Sequence, residues 1–166
     1  LNGYMGSDAI KPFLDQCVAR NKSAFVLAKT SNPSSVELQD MVAGDRVVYT
    51  VMGDLIERWG KDTAGKYGYN VLGAVVGATH PSVLKELRRR LEHTFFLVPG
   101  YGAQGGTAAD VRCAFDELGR GAIVNASRSI MCAWKKTGKD GMDYQEAARA
   151  AAEQMRDELR EYITIL

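Results

Sequence analysis

Residues 96–106, FLVPGYGAQGG, join a short apolar run to a loop that is rich in glycine. The run ends at Val98, and the loop that follows contains Gly100, Gly102, Gly105 and Gly106. Glycine lets backbone N–H groups approach an anion closely, because no side chain intervenes. Thr107 stands three residues before Asp110, a spacing that predicts the start of a helix. The stretch therefore predicts a strand, an anion-binding loop and a helix in succession.

The same order of strand and helix recurs along the whole chain. Short apolar runs predict strands at 24–28, 72–76, 95–98 and 122–124, the first of them buried on both faces. Helices are predicted at 8–19 with Asp8 as its cap, from Ser34 with Glu37 as a capping box, at 48–59, from Pro81, at 107–119, at 129–134 and at 144–163. This alternation predicts an α/β fold with parallel strands. No low-complexity linker interrupts residues 1–166, so we expect a single domain.

Composition excludes several classes of function. The chain has 166 residues and a formal net charge of +1, which implies no polyanionic partner such as a nucleic acid. We expect the basic run 88–90 to be a solvated helix face. Cys17, Cys113 and Cys132 are far apart and accompany no metal-binding spacing, which favours buried, reduced thiols in a cytoplasmic protein and neither a zinc site nor a disulfide. No apolar run is long enough to span a membrane.

The residues at the predicted strand exits are small and polar. These exits are SNP at 31–33, GATH at 77–80, PGYGAQGG at 99–106 and NASR at 125–128. Ligands of α/β folds bind at the carboxyl ends of strands, and barrels hold phosphate after their last two strands. Gln104 and Arg128 therefore predict a phosphate site. Taken singly, Arg128 is also compatible with a surface ion pair, Gln104 with a solvated side chain and Ser31 with a turn cap.

Five stretches carry a resemblance to a known family. They are LNGYMGSDAIKPFL at 1–14, VLAKTSNPSSVELQD at 26–40, GAVVGATHP at 73–81, LVPGYGAQGG at 97–106 and AIVNASRSI at 122–130. In this order they resemble the C-terminal half of orotidine 5′-phosphate decarboxylase, in its longer bacterial type. The resemblance implies a parallel (β/α)₈ TIM barrel, of which this chain carries roughly the second half.

The resemblance also implies an activity and a set of site residues. The activity is that of a carboxy-lyase, which decarboxylates orotidine 5′-phosphate to UMP in de novo pyrimidine biosynthesis, with no metal or organic cofactor. The implied enzyme is a cytoplasmic homodimer that acts on this small molecule and binds neither nucleic acid nor membrane. Gln104 and Arg128 would hold the 5′-phosphate, helped by backbone N–H groups near Ser127 and Gly106. Ser31 would bind the pyrimidine, and Pro99 and Tyr101 would border the site.

One part of the family's pattern is missing. The family's catalytic array includes an Asp-x-Lys-x-x-Asp motif, and none of the aspartates in this chain has a lysine two residues later. We therefore expect no catalytic residue in these 166 residues and a fragment of a longer enzyme, with residues 1–6 as the exit of a preceding strand. The alternatives are a metal-dependent sugar-phosphate barrel such as a hexulose-phosphate synthase, and a non-catalytic phosphate-binding or assembly module.

Overall fold

A computed structural model describes residues 1–164 as strands with helices packed against them. The strands are β1 (Ala24–Lys29), β2 (Val42–Ala43), β3 (Arg46–Val47), β4 (Leu72–Val76), β5 (Phe96–Pro99) and β6 (Ala122–Asn125). The α-helices are α1 (Ser7–Arg20), α2 (Val36–Gln39), α3 (Val48–Gly60), α4 (Pro81–Arg90), α5 (Ala108–Val111), α6 (Arg128–Met131) and α7 (Tyr144–Arg160). Short 3₁₀ helices lie at Gly3–Met5, Pro33–Ser35, Arg112–Ala114 and Ala133–Lys136.

The main sheet has the strand order β1-β4-β5-β6, and each neighbouring pair is parallel. The four strands predicted from the sequence are thereby confirmed, together with the helical connections between them. Because all four strands run the same way, their carboxyl ends lie along one edge of the sheet. The separate β2–β3 hairpin was not predicted, since two-residue strands carry no periodic signal.

The two faces of the sheet differ in how well they are covered. One face packs under the helices, where Val26, Ala74 and Phe96 are fully buried. On the other face Leu27, Val75, Leu97 and Ile123 form a row of register partners across all four strands. The two ends of this row are open, since Leu27 is 42% exposed and Ile123 is 53% exposed. The expectation that the first strand is buried on both faces was therefore wrong.

The outer edge of β1 is partly occupied by the first residue of the chain. The amino group of Leu1 donates to the carbonyl oxygen of Phe25 at 2.6 Å. The N–H of Leu27 donates to the carbonyl oxygen of Leu1 at 2.9 Å. These two bonds place Leu1 beside β1 as a neighbouring strand would lie.

Several helix ends differ from the predicted ones. Gly6, with φ 87°, precedes α1 as its N-cap, so Asp8 lies in the first turn rather than at the cap. The Thr107–Asp110 capping box is present, but the helix that it starts gives way to a 3₁₀ turn ending at Ala114. Phe115 is extended there, so the predicted helix to 119 was too long. The capping box expected at Ser34 is not formed.

The burial of the basic run 88–90 and of the three cysteines also differs from what the sequence predicts. Arg88 is partly buried, with its guanidinium 4.1 Å from the centre of the Phe96 ring and donating to the carbonyl of Thr94 at 2.9 Å. Burial lowers the pKa of Arg88. The three cysteines are free, and of these only Cys17 is buried.

None of the helices within residues 1–164 has both the length and the apolar character needed to cross a membrane.

Candidate functional site

The glycine-rich loop after β5 is a tight turn that bonds to itself. Gly100, Gly102 and Gly105 have φ values of 101°, 70° and 99°, a region that favours glycine. The N–H of Gly102 donates to the carbonyl of Gly106 at 2.8 Å, and the N–H of Gly106 donates to the carbonyl of Gly100 at 3.1 Å. A Cβ on Gly106 would lie 2.6 Å from the Cβ of Ala78. Gly100, Gly102 and Gly105 are therefore required for the conformation of the loop, and Gly106 is required for its close packing against Ala78.

This loop and the exit of β6 enclose a cavity of about 210 Å³. They are neighbours because Pro99 pairs with Asn125 at the ends of β5 and β6. Five of the seven site residues expected from the sequence line this cavity, namely Pro99, Tyr101, Gln104, Ser127 and Arg128; Gly100, Ala103, Asn125 and Ala126 line it as well. The cavity lies where strand exits place ligands in α/β folds.

Arg128 brings an uncompensated positive charge to this cavity. It is the first residue of α6, it is exposed, and no carboxylate within residues 1–164 lies within salt-bridge distance of it. The surface ion pair considered from the sequence is therefore absent from this part of the chain. A guanidinium with free donors is suited to bind the oxygens of a phosphate.

Ser31 reaches the cavity through Gln104. Its hydroxyl donates to Oε1 of Gln104 at 3.0 Å, which joins the exit of β1 to the loop after β5. Gly77 stands directly against Ser31, since a Cβ at residue 77 would lie 2.9 Å from the Cα, Cβ and N atoms of Ser31. Apart from the glycine itself, no pattern in the sequence indicates this close approach.

Two of the expected site residues have other roles in the structure. Gly106 is buried and does not line the cavity, and its N–H is used within the loop. The binding of phosphate by backbone N–H groups near Ser127 and Gly106 stays a prediction. Tyr101 is only 8% exposed, and its hydroxyl donates to Glu158 on α7. Burial and this hydrogen bond raise the pKa of Tyr101 well above its ordinary value.

Lys29, at the end of β1, was missed by the reasoning from sequence. Its side chain is fully buried, and its ammonium donates to Oδ1 of Asp40 at 2.6 Å and to Oγ of Ser35 at 3.3 Å. Burial, followed by the charge of Lys29, lowers the pKa of His80. A lysine at the end of an apolar strand, with an aspartate eleven residues later, was the available signal.

Within residues 1–164, no group of three or more His, Cys, Asp or Glu side chains is arranged to hold a metal ion. The polar groups of the cavity itself are an amide, hydroxyl groups and a guanidinium, a set that suits an oxyanion better than a cation.

Comparison with known proteins shows the family of the chain. The family model described as "Orotidine 5′-phosphate decarboxylase / HUMPS family" matches residues 1–158. The chain belongs to this family. Orotidine 5′-phosphate decarboxylase of Clostridium perfringens is 45% identical over 164 residues, which cover 98% of this chain and 56% of that protein. The enzyme of that name from Rhodopirellula baltica is 44% identical over 161 residues, or 95% of this chain and 53% of that protein.

Solved structures of the family share the fold. The structure of Leishmania donovani OMP decarboxylase has a TM-score of 0.71 and 31% sequence identity, and the match covers 95% of this chain and 55% of that one. Structures of this decarboxylase are TIM barrels, so the expected fold class is confirmed. The chain spans about half the length of the curated relatives that it matches.

Proposed function

We propose that this chain belongs to an orotidine 5′-phosphate decarboxylase and supplies the part that binds the nucleotide's phosphate. The observation that carries the proposal is the shared cavity of Gln104 and Arg128, which come from successive strand exits. The absence of a carboxylate beside Arg128 within residues 1–164 supports an anionic ligand. The curated relatives bear this enzyme's name, which favours the decarboxylase over a metal-dependent sugar-phosphate enzyme.

The proposed roles follow the positions of the side chains. The Arg128 guanidinium and the Gln104 amide bind phosphate oxygens, and Ser127 at the N-cap of α6 adds polar groups to the same cavity. Ser31, bonded to Gln104, faces the pyrimidine. Pro99 borders the site. Tyr101 supports the site through the hydrogen bond from its hydroxyl to Glu158 on α7.

The proposed chemistry needs groups that these residues do not include. In the family's reaction, carbon dioxide leaves C6 of the pyrimidine, and the enzyme stabilises the resulting carbanion electrostatically before a lysine protonates it. No metal or organic cofactor is part of the proposal. The phosphate is remote from C6, yet its binding energy can organise the charged groups around the reacting carbon. Gln104 and Arg128 thereby contribute to catalysis at a distance.

The proposal extends to the organisation of the whole enzyme. Residues 1–166 belong to a single domain, of which they are the C-terminal part of the barrel. The Asp-x-Lys-x-x-Asp array comes from the remaining part of the barrel. The intact enzyme is a homodimer in the cytoplasm. The open row that ends at Leu27 and Ile123 supports the division of one barrel between this chain and the remaining part, because a closed barrel would cover it.

The test is the substitution Arg128→Ala in the intact polypeptide. Loss of the guanidinium is expected to lower kcat/KM for orotidine 5′-phosphate by about 100-fold, or roughly 3 kcal/mol of transition-state stabilisation. Affinity for UMP, measured by calorimetry, falls as well, because UMP carries the same phosphate.

Arg149→Ala is the matched control. Arg149 is 80% exposed on α7, where it pairs with Glu153, and its loss is expected to leave both constants within about twofold of the parent. A normal kcat/KM in the Arg128→Ala protein would contradict the proposed role. A parent protein that binds UMP but consumes no orotidine 5′-phosphate would favour the non-catalytic binding module.

A further inference from the structure

The side chain of Lys29 is turned by an irregularity in β1. β1 pairs with β4 in regular register as far as Leu27, which lies opposite Val75. The register then shifts, so that Lys29 lies opposite Val76. A shift of one residue changes the face to which a side chain belongs. Val76 belongs to the core under the helices, so Lys29 leaves the open face that Leu27 occupies.

The buried ammonium is held by groups from one short segment. Lys29 is 0% exposed, and a buried charge is tolerated only when it is paired and hydrogen-bonded. Its partners, Ser35 and Asp40, flank α2 on its two sides. The Asp40 side chain is 40% exposed, so the pair extends from the core to the surface.

A second pair of bonds ties the same segment to the next residue of the chain. The N–H of Thr30 donates to Oε1 of Gln39 at 2.9 Å, and Nε2 of Gln39 donates to the Thr30 hydroxyl at 2.9 Å. Residues 29 and 30 are therefore fixed to residues 35–40 through the side chains of Ser35, Gln39 and Asp40. Ser31 follows immediately and bonds to Gln104.

We propose that Lys29 is a positioning residue, which fixes residues 31–40 over the exit of β1 through its buried bond to Asp40 and thereby holds Ser31 against Gln104. The proposal rests on the proposed function, since it gives Ser31 its place beside the bound nucleotide. Lys29 itself touches no ligand, because its ammonium is enclosed and engaged with Asp40 and Ser35.

Beyond Ser31, which packs against Gly77 and Gly100, the segment has little apolar packing to hold it in place. Val36, Leu38, Met41 and Val42 are 50%, 51%, 54% and 66% exposed. Apolar burial therefore contributes little to its order, and the polar bonds of Lys29 and Gln39 carry the larger share. Loss of the Lys29–Asp40 pair should loosen residues 31–40 locally and leave β4 and β5 unchanged.

The experiment compares Asp40→Asn and Lys29→Met with the parent in the intact polypeptide. Asp40→Asn is the main variant, because it removes the carboxylate charge from a partly exposed side chain and should therefore fold normally. It keeps the test valid even if Lys29→Met fails to fold. Amide hydrogen exchange of residues 31–40 is expected to accelerate about tenfold in Asp40→Asn, with exchange in β4 and β5 unchanged. KM for orotidine 5′-phosphate and the dissociation constant of UMP are expected to rise about fivefold or more, because Ser31 is no longer held.

Lys11→Met is the matched control, because it breaks an exposed lysine–aspartate pair with Asp15. It should leave both the exchange and the binding constants within about twofold of the parent. Unchanged exchange of residues 31–40 in Asp40→Asn overturns the proposal, and so does accelerated exchange with unchanged UMP affinity. A parent that does not bind UMP refutes the proposed function instead, and the exchange of residues 31–40 still decides whether Lys29 orders the segment.

Discussion

At the scale of single residues, the site depends on how closely the backbones of neighbouring exits approach each other. Ser31 lies between Gly77 and Gly100, and a Cβ at residue 100 would lie 3.1 Å from the Cβ of Ser31. Both glycines therefore make room for the side chain that bonds to Gln104. Small residues at strand exits thus serve packing as much as they serve ligand access.

Gly77→Ala tests this close approach. The new Cβ would lie 2.9 Å from the backbone of Ser31, so the exit of β1 must move, at a cost of about 2 kcal/mol in the free energy of unfolding. KM for orotidine 5′-phosphate is expected to rise with it. Urea unfolding and steady-state kinetics of the intact polypeptide measure the two effects.

Gly65→Ala is its control, since a Cβ there would meet the Tyr69 carbonyl oxygen at 3.8 Å, an ordinary contact. Equal unfolding free energies for the two alanine variants would show that the crowding at Ser31 is not a constraint.

Gln104 and Arg128 could be predicted from sequence, whereas Lys29 and Gly77 could not. The first two follow apolar strands directly, so the end of a strand fixes the edge on which they lie. The burial of Lys29 depends on a register shift between β1 and β4, and the role of Gly77 depends on a neighbour 46 residues away in sequence. Neither is encoded in local periodicity. The hydrogen bond from the N–H of Gly106 to Gly100 could not be predicted for the same reason, because the turn decides its partner.

At the scale of elements, the β2–β3 hairpin is joined to two helices by a single carboxylate. Asp54 on α3 accepts hydrogen bonds from Arg46 on β3 and from Arg90 on α4. The hydrogen bond from Arg90 is the largest cause that holds the pKa of Asp54 below its ordinary value, with Arg46 adding to it. This network attaches the hairpin, which buries little apolar surface of its own.

Asp54→Asn is expected to lower the free energy of unfolding by about 1 kcal/mol at pH 7, a modest value because the pair is partly exposed. A carboxyl whose pKa is lower in the folded state stabilises the fold above its unfolded pKa of about 4. That contribution is lost as the pH falls through the lower, folded pKa. The difference between parent and variant should therefore be present at pH 7 and shrink as the pH falls below the unfolded pKa of about 4.

Chemical unfolding of the intact polypeptide at a series of pH values measures this difference, with Asp15→Asn as the control from an exposed pair. A constant difference between parent and Asp54→Asn at all pH values would contradict the stabilising role of the ionised Asp54.

The elements themselves were largely predictable from the sequence, because β4 and α4 have strong apolar patterns. The predicted helix at 107–119 was too long, since an apolar spacing cannot show that Phe115 leaves the helix to pack in an extended conformation.

At the scale of the whole molecule, the sequence predicts the fold because alternating strands and helices have few ways to pack. Four parallel strands with helices on one face leave the opposite face to be covered by further structure, as the exposure of Leu27 and Ile123 shows. The chain spans about half the length of its curated relatives, and relatives of this family form closed barrels. In the proposed enzyme, the remaining part covers the open row and supplies the missing charged array.

The central claim is that Gln104 and Arg128 bind one phosphate group, and a crystal structure of the intact polypeptide with UMP tests it most directly. We predict that phosphate oxygens lie within about 3.2 Å of the Arg128 guanidinium and of the Gln104 amide, in the cavity between the exits of β5 and β6. A UMP phosphate bound elsewhere, with the Arg128 side chain directed into solvent, would contradict the account.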